Sequence, residues 1–307
     1  MAAPGIDRLG RRRGLRFVLV GVVAAVVFAV QGVVAAAAAT VFNTTTTLTT
    51  NTTWTTAGSP YILNADVRVN YGVTLTIEPG VVVKLNGTTR SMVIWGTMTA
   101  VGSAANPIVF TSLKDDSVGG DDGGDGPTVG SPGDWYTLGF SSGDALSYLQ
   151  YVDVRFGGWG FGGGDSPISL SKSAPYAPNP NLPTTVTIED STIHDSQQSG
   201  VYVYESNLVL RRSSVSANGG VGIFATTSSV VADQSTISNN GNKGVQITLS
   251  PTYQGVQSRL TRNTISQNAG TGVYLLFNPG LPLAKYPTGT AITSSATTQI
   301  RLARTRC

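Results

Sequence analysis

Ile193, Val215 and Ile237 stand 22 residues apart, and Ile265 follows after 28. Gly200, Gly222, Gly244 and Gly272 keep the same intervals, and so do Ser196, Asn218, Asn240 and Asn268. Within each interval, short apolar–polar alternations are broken by Gly, Asn and Ser. A period near 22 with that content marks a stacked solenoid. One coil cannot bury its apolar face alone. Stacked coils lie about 4.8 Å apart, pair their backbones and place equivalent side chains over one another.

The expected fold is therefore all-β, a parallel β-helix. Ile193, Val215, Ile237 and Ile265 form one inward ladder, and Val201, Ile223, Val245 and Val273 form a second. The asparagines stack in a turn and pass amide hydrogen bonds from coil to coil. The glycines are expected at a corner where φ is positive. The longer last interval fits an insertion around residues 251–256. A leucine-rich repeat competes at this period, but its Leu-x-x-Leu-x-Leu pattern is missing. Charged residues are only 12 % of the chain and glycine supplies 37, which suits many short strands joined by tight turns.

Residues 1–39 read as an export segment. Arg8, Arg11, Arg12, Arg13 and Arg16 precede an apolar run from Phe17 that ends in consecutive alanines at 35–39. A basic region, an apolar region and an Ala-x-Ala end make a secretory signal, cleaved after Ala39. The alternative is an uncleaved anchor, since the apolar run is long enough for a bilayer of roughly 30 Å. Residues 40–60 are a Thr-rich lead-in. Residues 61–280 carry the coils, with loops projecting at 114–134 and 171–185. The tail at 281–307 matches no coil and is expected to be a truncated end.

The chain carries a formal charge of +3. The export segment alone contributes +4, so the remainder is mildly acidic at −1. Such a surface releases few counterions from a polyanion, which excludes a nucleic-acid partner. The lone cysteine, Cys307, excludes an internal disulfide. The lone histidine, His194, excludes a His-rich metal site and any Ser-His-Asp triad away from that residue.

Residues 75–84 (LTIEPGVVVK) and the Ile-x-x-Asn-x-x-x-Gly-Val rhythm at 237–245 and 265–273 resemble the right-handed β-helix repeat proteins exported by bacteria. The first segment is similar to their leading coil, and the resemblance covers about residues 62–279. It implies a right-handed, pectate-lyase-like solenoid. It implies no single activity, because the group includes lyases, hydrolases, epimerases and adhesins. Function has to come from a site.

Three sets of residues carry candidate chemistry. The acidic stretch Asp121-Asp122-Gly123-Gly124-Asp125-Gly126 alternates oxygen ligands with a Gly at the sixth place, like the first half of a calcium loop. Asp116, Asp121, Asp125 and Asp134 are the expected Ca2+ ligands, with Asp115 in support. Pro132 stands where an EF-hand has its bidentate Glu, so the ion would pin the loop rather than signal. Next, Tyr202, Phe224, Gln246 and Tyr274 share one outward column, with Tyr204 beside it, a stripe of rings that could hold a glycan.

Last come the carboxylates Glu189, Asp190, Asp195, Glu205 and Asp233. Two facing carboxyls would suit a glycosidase, and Arg211 or Arg212 with Asp190 and Asp233 would suit a lyase. The register puts Glu189, Arg211 and Asp233 in one column and Asp190 and Arg212 in the next, which favours structural ion pairs. His194 beside Asp195 is a possible acid/base on a surface turn. The sequence therefore favours a monomeric, secreted or cell-surface scaffold that binds polysaccharide or a cell-envelope glycan. A polysaccharide lyase or hydrolase is the alternative. Membrane attachment enters only if the export segment stays uncleaved.

Overall fold

The computed structural model describes residues 38–143, 146–160, 165–173, 177–178, 181–249, 258–277 and 300–304. Residues 1–39, where an export segment is expected, lie outside these residues except for the last two. Among the described residues no helix is long and apolar enough to cross a membrane.

Among the described residues the strands fall into three parallel sheets of nine, ten and eight strands, called here the first, second and third. Each coil contributes one strand to each sheet in turn, so every strand pairs with the strand one coil away. Coils 1 to 9 begin at the first-sheet strands starting at Thr40, Tyr61, Val82, Ile108, Val152, Thr192, Ser214, Thr236 and Thr264. In the first sheet Ile193 pairs with Val215, Val215 with Ile237, and Ile237 with Ile265. In the second, Val201, Ile223, Val245 and Val273 pair in the same way. All eight are buried. Burying one such side chain contributes about 1.5–3 kcal/mol, so these ladders are a major source of the stability of coils 6 to 9.

The lead-in is already a coil. Thr40–Phe42, Thr46–Leu48 and Thr52–Trp54 are strands of the three sheets, each paired with the coil above. Phe42, Leu48 and Trp54 supply apolar contacts to the core, and Trp54 stacks on Tyr61 at 4.4 Å. Threonine hid this coil because its β-branched side chain suits an outward strand position as well as a spacer. Residues 87–101 supply two strands, Gly87–Ile94 and Thr97–Val101, in different sheets. At the other end, Ile300–Arg304 pairs parallel with Val273–Phe277, so the tail adds a strand where none was expected. The two long loops lie between Ile108–Ser112 and Trp135–Phe140 and between Ile168–Ser171 and Thr185–Glu189.

The corners differ from the expectation. Gly200, Gly222 and Gly244 are not the positive-φ residues. Those are Tyr151, Asp190, Arg212, Gln234 and Arg262 at one corner, and Phe156, Asp195, Ala217, Asn239 and Gln267 at another. Glu205 and Thr227 stand at the third. A left-handed conformation disfavours L-residues, but here it lets the coil-to-coil hydrogen bonds run on through the bend. The amide of Asp190 donates to the carbonyl of Arg211, Arg212 to Asp233, and Ala217 to Ser238. After each bend a small polar residue turns inward. Ser191, Ser213, Ser235 and Asn263 form one buried ladder, and Asn218, Asn240 and Asn268 form another with side-chain links of 2.8–2.9 Å. The glycine column serves close approach instead: a Cβ on Gly200 would meet Val215 Cγ1 at 2.6 Å and the Gly222 carbonyl at 2.8 Å.

Candidate functional site

The ring stripe sits on the outward face of the second sheet. Ser169, Tyr202, Phe224, Gln246 and Tyr274 occupy one column, and each pairs with the next. Tyr202 and Phe224 meet edge to face at 5.5 Å and 62°, and Gln246 separates them from Tyr274. The ammonium of Lys243 lies 4.9 Å from the Tyr274 ring, a cation–π distance. Tyr204 is exposed and stands in the neighbouring outward column with Ser171 and Thr226. Lys172, at the start of the 171–185 loop, pairs with Glu205 beside it. The other rings of the stripe are half-buried, so each keeps an open portion, and the column continues through Ser169 and Gly139.

The charge columns on the third sheet are occupied by partners. Arg211 donates to Glu189 at 2.7 Å, and Arg212 clasps Asp190 at 2.7 and 2.8 Å while reaching Glu189 at 2.9 Å. Tyr148 donates to Glu189, and Gln150 donates to Asp190. Asp233 takes Thr261 and both a side and an end of the Arg262 guanidinium. Burial opposes the charge on Glu189, but donation from Arg211, Arg212 and Tyr148 outweighs it and holds the carboxyl low. Arg212 likewise lowers Asp190, and Arg262 holds Asp233 down to about 2. These carboxylates stay ionised and engaged, which suits a ladder of ion pairs. No proton donor for a leaving group is left among them.

The acidic loop brings some expected ligands together. Asp116, Asp121 and Asp125 offer oxygens within 4.8 Å of one another. Asp121 accepts the amides of Gly124, Asp125 and Gly126, and Asp116 Oδ2 accepts Thr128. Asp116 Oδ1 is enclosed without a hydrogen-bond partner. Three carboxylate donors are the oxygen-only chemistry of a hard divalent cation, whose remaining ligands would be carbonyls or water. Asp134 and Asp115 do not join the group. Asp134 holds Ser112, Lys114 and the amide of Ser131. Asp115 is buried on Thr111, Ser117 and Arg155, whose hydrogen bonds overcome burial and lower it.

A fourth cluster went unseen in the sequence. On the outward face of the first sheet, Lys84, Thr111, Arg155 and His194 stand in one column over four coils. The 113–134 loop lies across its lower part. Lys84 is fully buried there, 2.6 Å from Asp122 and from the Gly120 carbonyl. Arg155 bridges Asp115 and Asp153, and His194 lies between Asp153 at 2.9 Å and Asp195 at 2.6 Å. Both ring nitrogens are occupied by carboxylates, which leaves neither facing an incoming substrate.

Residues 178–283 match the family described as right handed beta helix region, and residues 46–125 the one described as pectate-lyase like beta helix domain. The chain folds as a right-handed parallel β-helix. The periplasmic alginate epimerase AlgG aligns with it at a TM-score of 0.37 and 14 % identity, over 74 % of this chain and 62 % of that one. A point mutant of that epimerase aligns at 0.31 and 10 %, over 85 % and 70 %. The β-helix thus spans less than two thirds of the first of these. No curated protein matches it. Likeness at this level says nothing of activity, so the side chains of the β-helix have to carry the functional argument.

Proposed function

We propose that this β-helix is exported and binds polysaccharide along the ring stripe of its second sheet, acting as a scaffold rather than an enzyme. One observation carries the reading. The groups that would do chemistry, Arg211, Arg212, Asp190 and Asp233, are spent on one another, on Glu189 and on Arg262, whereas Tyr202, Tyr204, Phe224 and Tyr274 offer rings along one sheet face. Export rests on the basic and apolar segment ahead of the coils. Rings spaced by the coil repeat present a surface that a repeating polymer can follow.

The test is a panel of neutral and acidic polysaccharides measured by calorimetry. Replacing Tyr202 and Phe224 together by Ala is expected to weaken the bound polymer by at least tenfold, about 1.4 kcal/mol. The double variant should keep its thermal midpoint, since both rings lie outside the core. Unchanged affinity would refute the stripe. Accumulation of unsaturated product from polyuronates would refute the scaffold reading and favour a lyase.

Calcium enters this proposal as a structural ion held by Asp116, Asp121 and Asp125. Its charge would offset their repulsion, and the enclosed Asp116 oxygen supports it. Calcium at a hundredfold excess over its Kd is expected to add about 2.7 kcal/mol of stability. Asp121→Asn with Asp125→Asn should abolish that gain. A thermal midpoint indifferent to calcium and to chelator would remove the ion from the account.

A further inference from the structure

We propose that His194 is a proton-operated clasp that ties the 113–134 loop to the solenoid, closed when the imidazole is charged and loosened when it is neutral. A neutral imidazole has one N–H and one lone pair. Here both nitrogens face carboxylate oxygens, Nε2 to Asp153 at 2.9 Å and Nδ1 to Asp195 at 2.6 Å. Carboxylates only accept, so a neutral ring turns its lone pair on one of them. Only the imidazolium satisfies both.

The charges around the ring agree. From the strand Val152–Arg155 come Asp153 and Arg155, the latter already joined to Asp153 at 3.0 Å. Asp195 comes from the ring's own corner. The next residue up the column, Ser216, is uncharged. The 113–134 loop adds Asp115, which faces Arg155 rather than the ring. Burial works against the charged ring, but Asp153 and Asp195 outweigh it and raise His194 above its ordinary value.

The clasp reaches the loop through Asp153 and Arg155. Asp153 has two oxygens, one on His194 and the other on Arg155. Arg155 in turn binds Asp115 at 2.7 Å and Ser117 Oγ at 2.9 Å, both at the root of the loop. The chain of contacts thus runs from His194 through Asp153 and Arg155 into the loop. Loss of the proton leaves a lone pair against a carboxylate and frees Asp153 to shift, which loosens the Arg155 anchorage. Because the folded value is raised, the stabilisation is complete below the unfolded value of about 6.5 and disappears as pH rises through the folded one.

A single histidine makes the test direct. Two-dimensional 15N–1H spectra of the full chain report both nitrogens of His194 as pH rises. The clasp requires two protonated nitrogens at pH 6.5 and a midpoint above that value. Asp153→Asn and Asp195→Asn should each lower the midpoint. A neutral ring at pH 6.5, or a midpoint unmoved by both substitutions, overturns the proposal.

The link to the loop needs its own readout, amide exchange at residues 115–128 in calcium-free buffer. Exchange there is expected to rise with pH beyond the chemical rate, by no more than tenfold per unit, the limit for one proton. His194→Gln keeps a neutral hydrogen-bonding side chain and should abolish that extra dependence. Arg155→Lys, which keeps the charge but loses the fork, should leave the His194 midpoint raised while uncoupling the loop. Exchange that tracks pH equally in wild type and His194→Gln sinks the coupling.

Discussion

Gly222→Ala is expected to destabilise the protein by about 3 kcal/mol, at the upper end of what overpacking a core costs. The added Cβ would stand 2.6 Å from the Gly244 carbonyl, 2.7 Å from Ile237 Cγ2 and 2.8 Å from Asn240 Nδ2. One of these is backbone of the next coil, one is a core side chain and one is a rung of the asparagine ladder. None is the free end of a flexible chain, so relief requires the coils to part. Restricting the unfolded chain returns only about 0.4–1 kcal/mol of that. Gly139→Ala is the control: its nearest neighbour would be Thr137 Cγ2 at 3.7 Å, and its φ is not positive. Urea denaturation of both variants should show a large loss for the first and less than about 0.5 kcal/mol for the second. Equal midpoints would mean that coils 7 and 8 are not packed as described.

That contrast explains what could be read in advance. The repeat gave the coils from Ile193 onward, because no insertion disturbs the spacing until the one before Ile265. It located the glycine column but not its purpose, since a glycine needed for positive φ and one needed for close approach look alike as letters. The corners went instead to Asp190, Arg212, Ala217 and their equivalents, where the coil-to-coil hydrogen bonds offset a conformation that composition alone disfavours. The ring column and the Glu189–Arg211–Asp233 column followed from register alone. The His194 cluster did not, because Arg155 and His194 lie 39 residues apart with the 171–185 loop between them. The alternation Val152-Asp153-Val154-Arg155 was the available signal: two charged residues on one outward face, needing only a coil assignment to fall beneath His194.

Asn240→Ala should be costlier still, about 4 kcal/mol, because it breaks a ladder at its middle. Asn240 Oδ1 accepts the amide of Asn218 at 3.2 Å and its Nδ2 at 2.9 Å, while Asn240 Nδ2 donates to the Val215 carbonyl at 3.2 Å and to Asn268 Oδ1 at 2.8 Å. The residue is buried, so water does not replace what alanine removes. A buried polar group left without a partner costs about 1–3 kcal/mol, and at least two would be left here. Asn263→Ser provides the comparison within the same molecule. Ser191, Ser213 and Ser235 already fill that column and accept the amide of the coil below, so serine at 263 keeps the bond from the Ser235 amide and gives up the donation to the Ala232 carbonyl. Its cost should stay near 1 kcal/mol. Amide exchange would show where the loss falls. In a solenoid, stability is a sum of coil and neighbour terms, so Asn240→Ala should expose coils 7 to 9 while coils 2 to 4 keep their protection. Uniform loss along all coils would show instead that the whole stack unfolds as one unit.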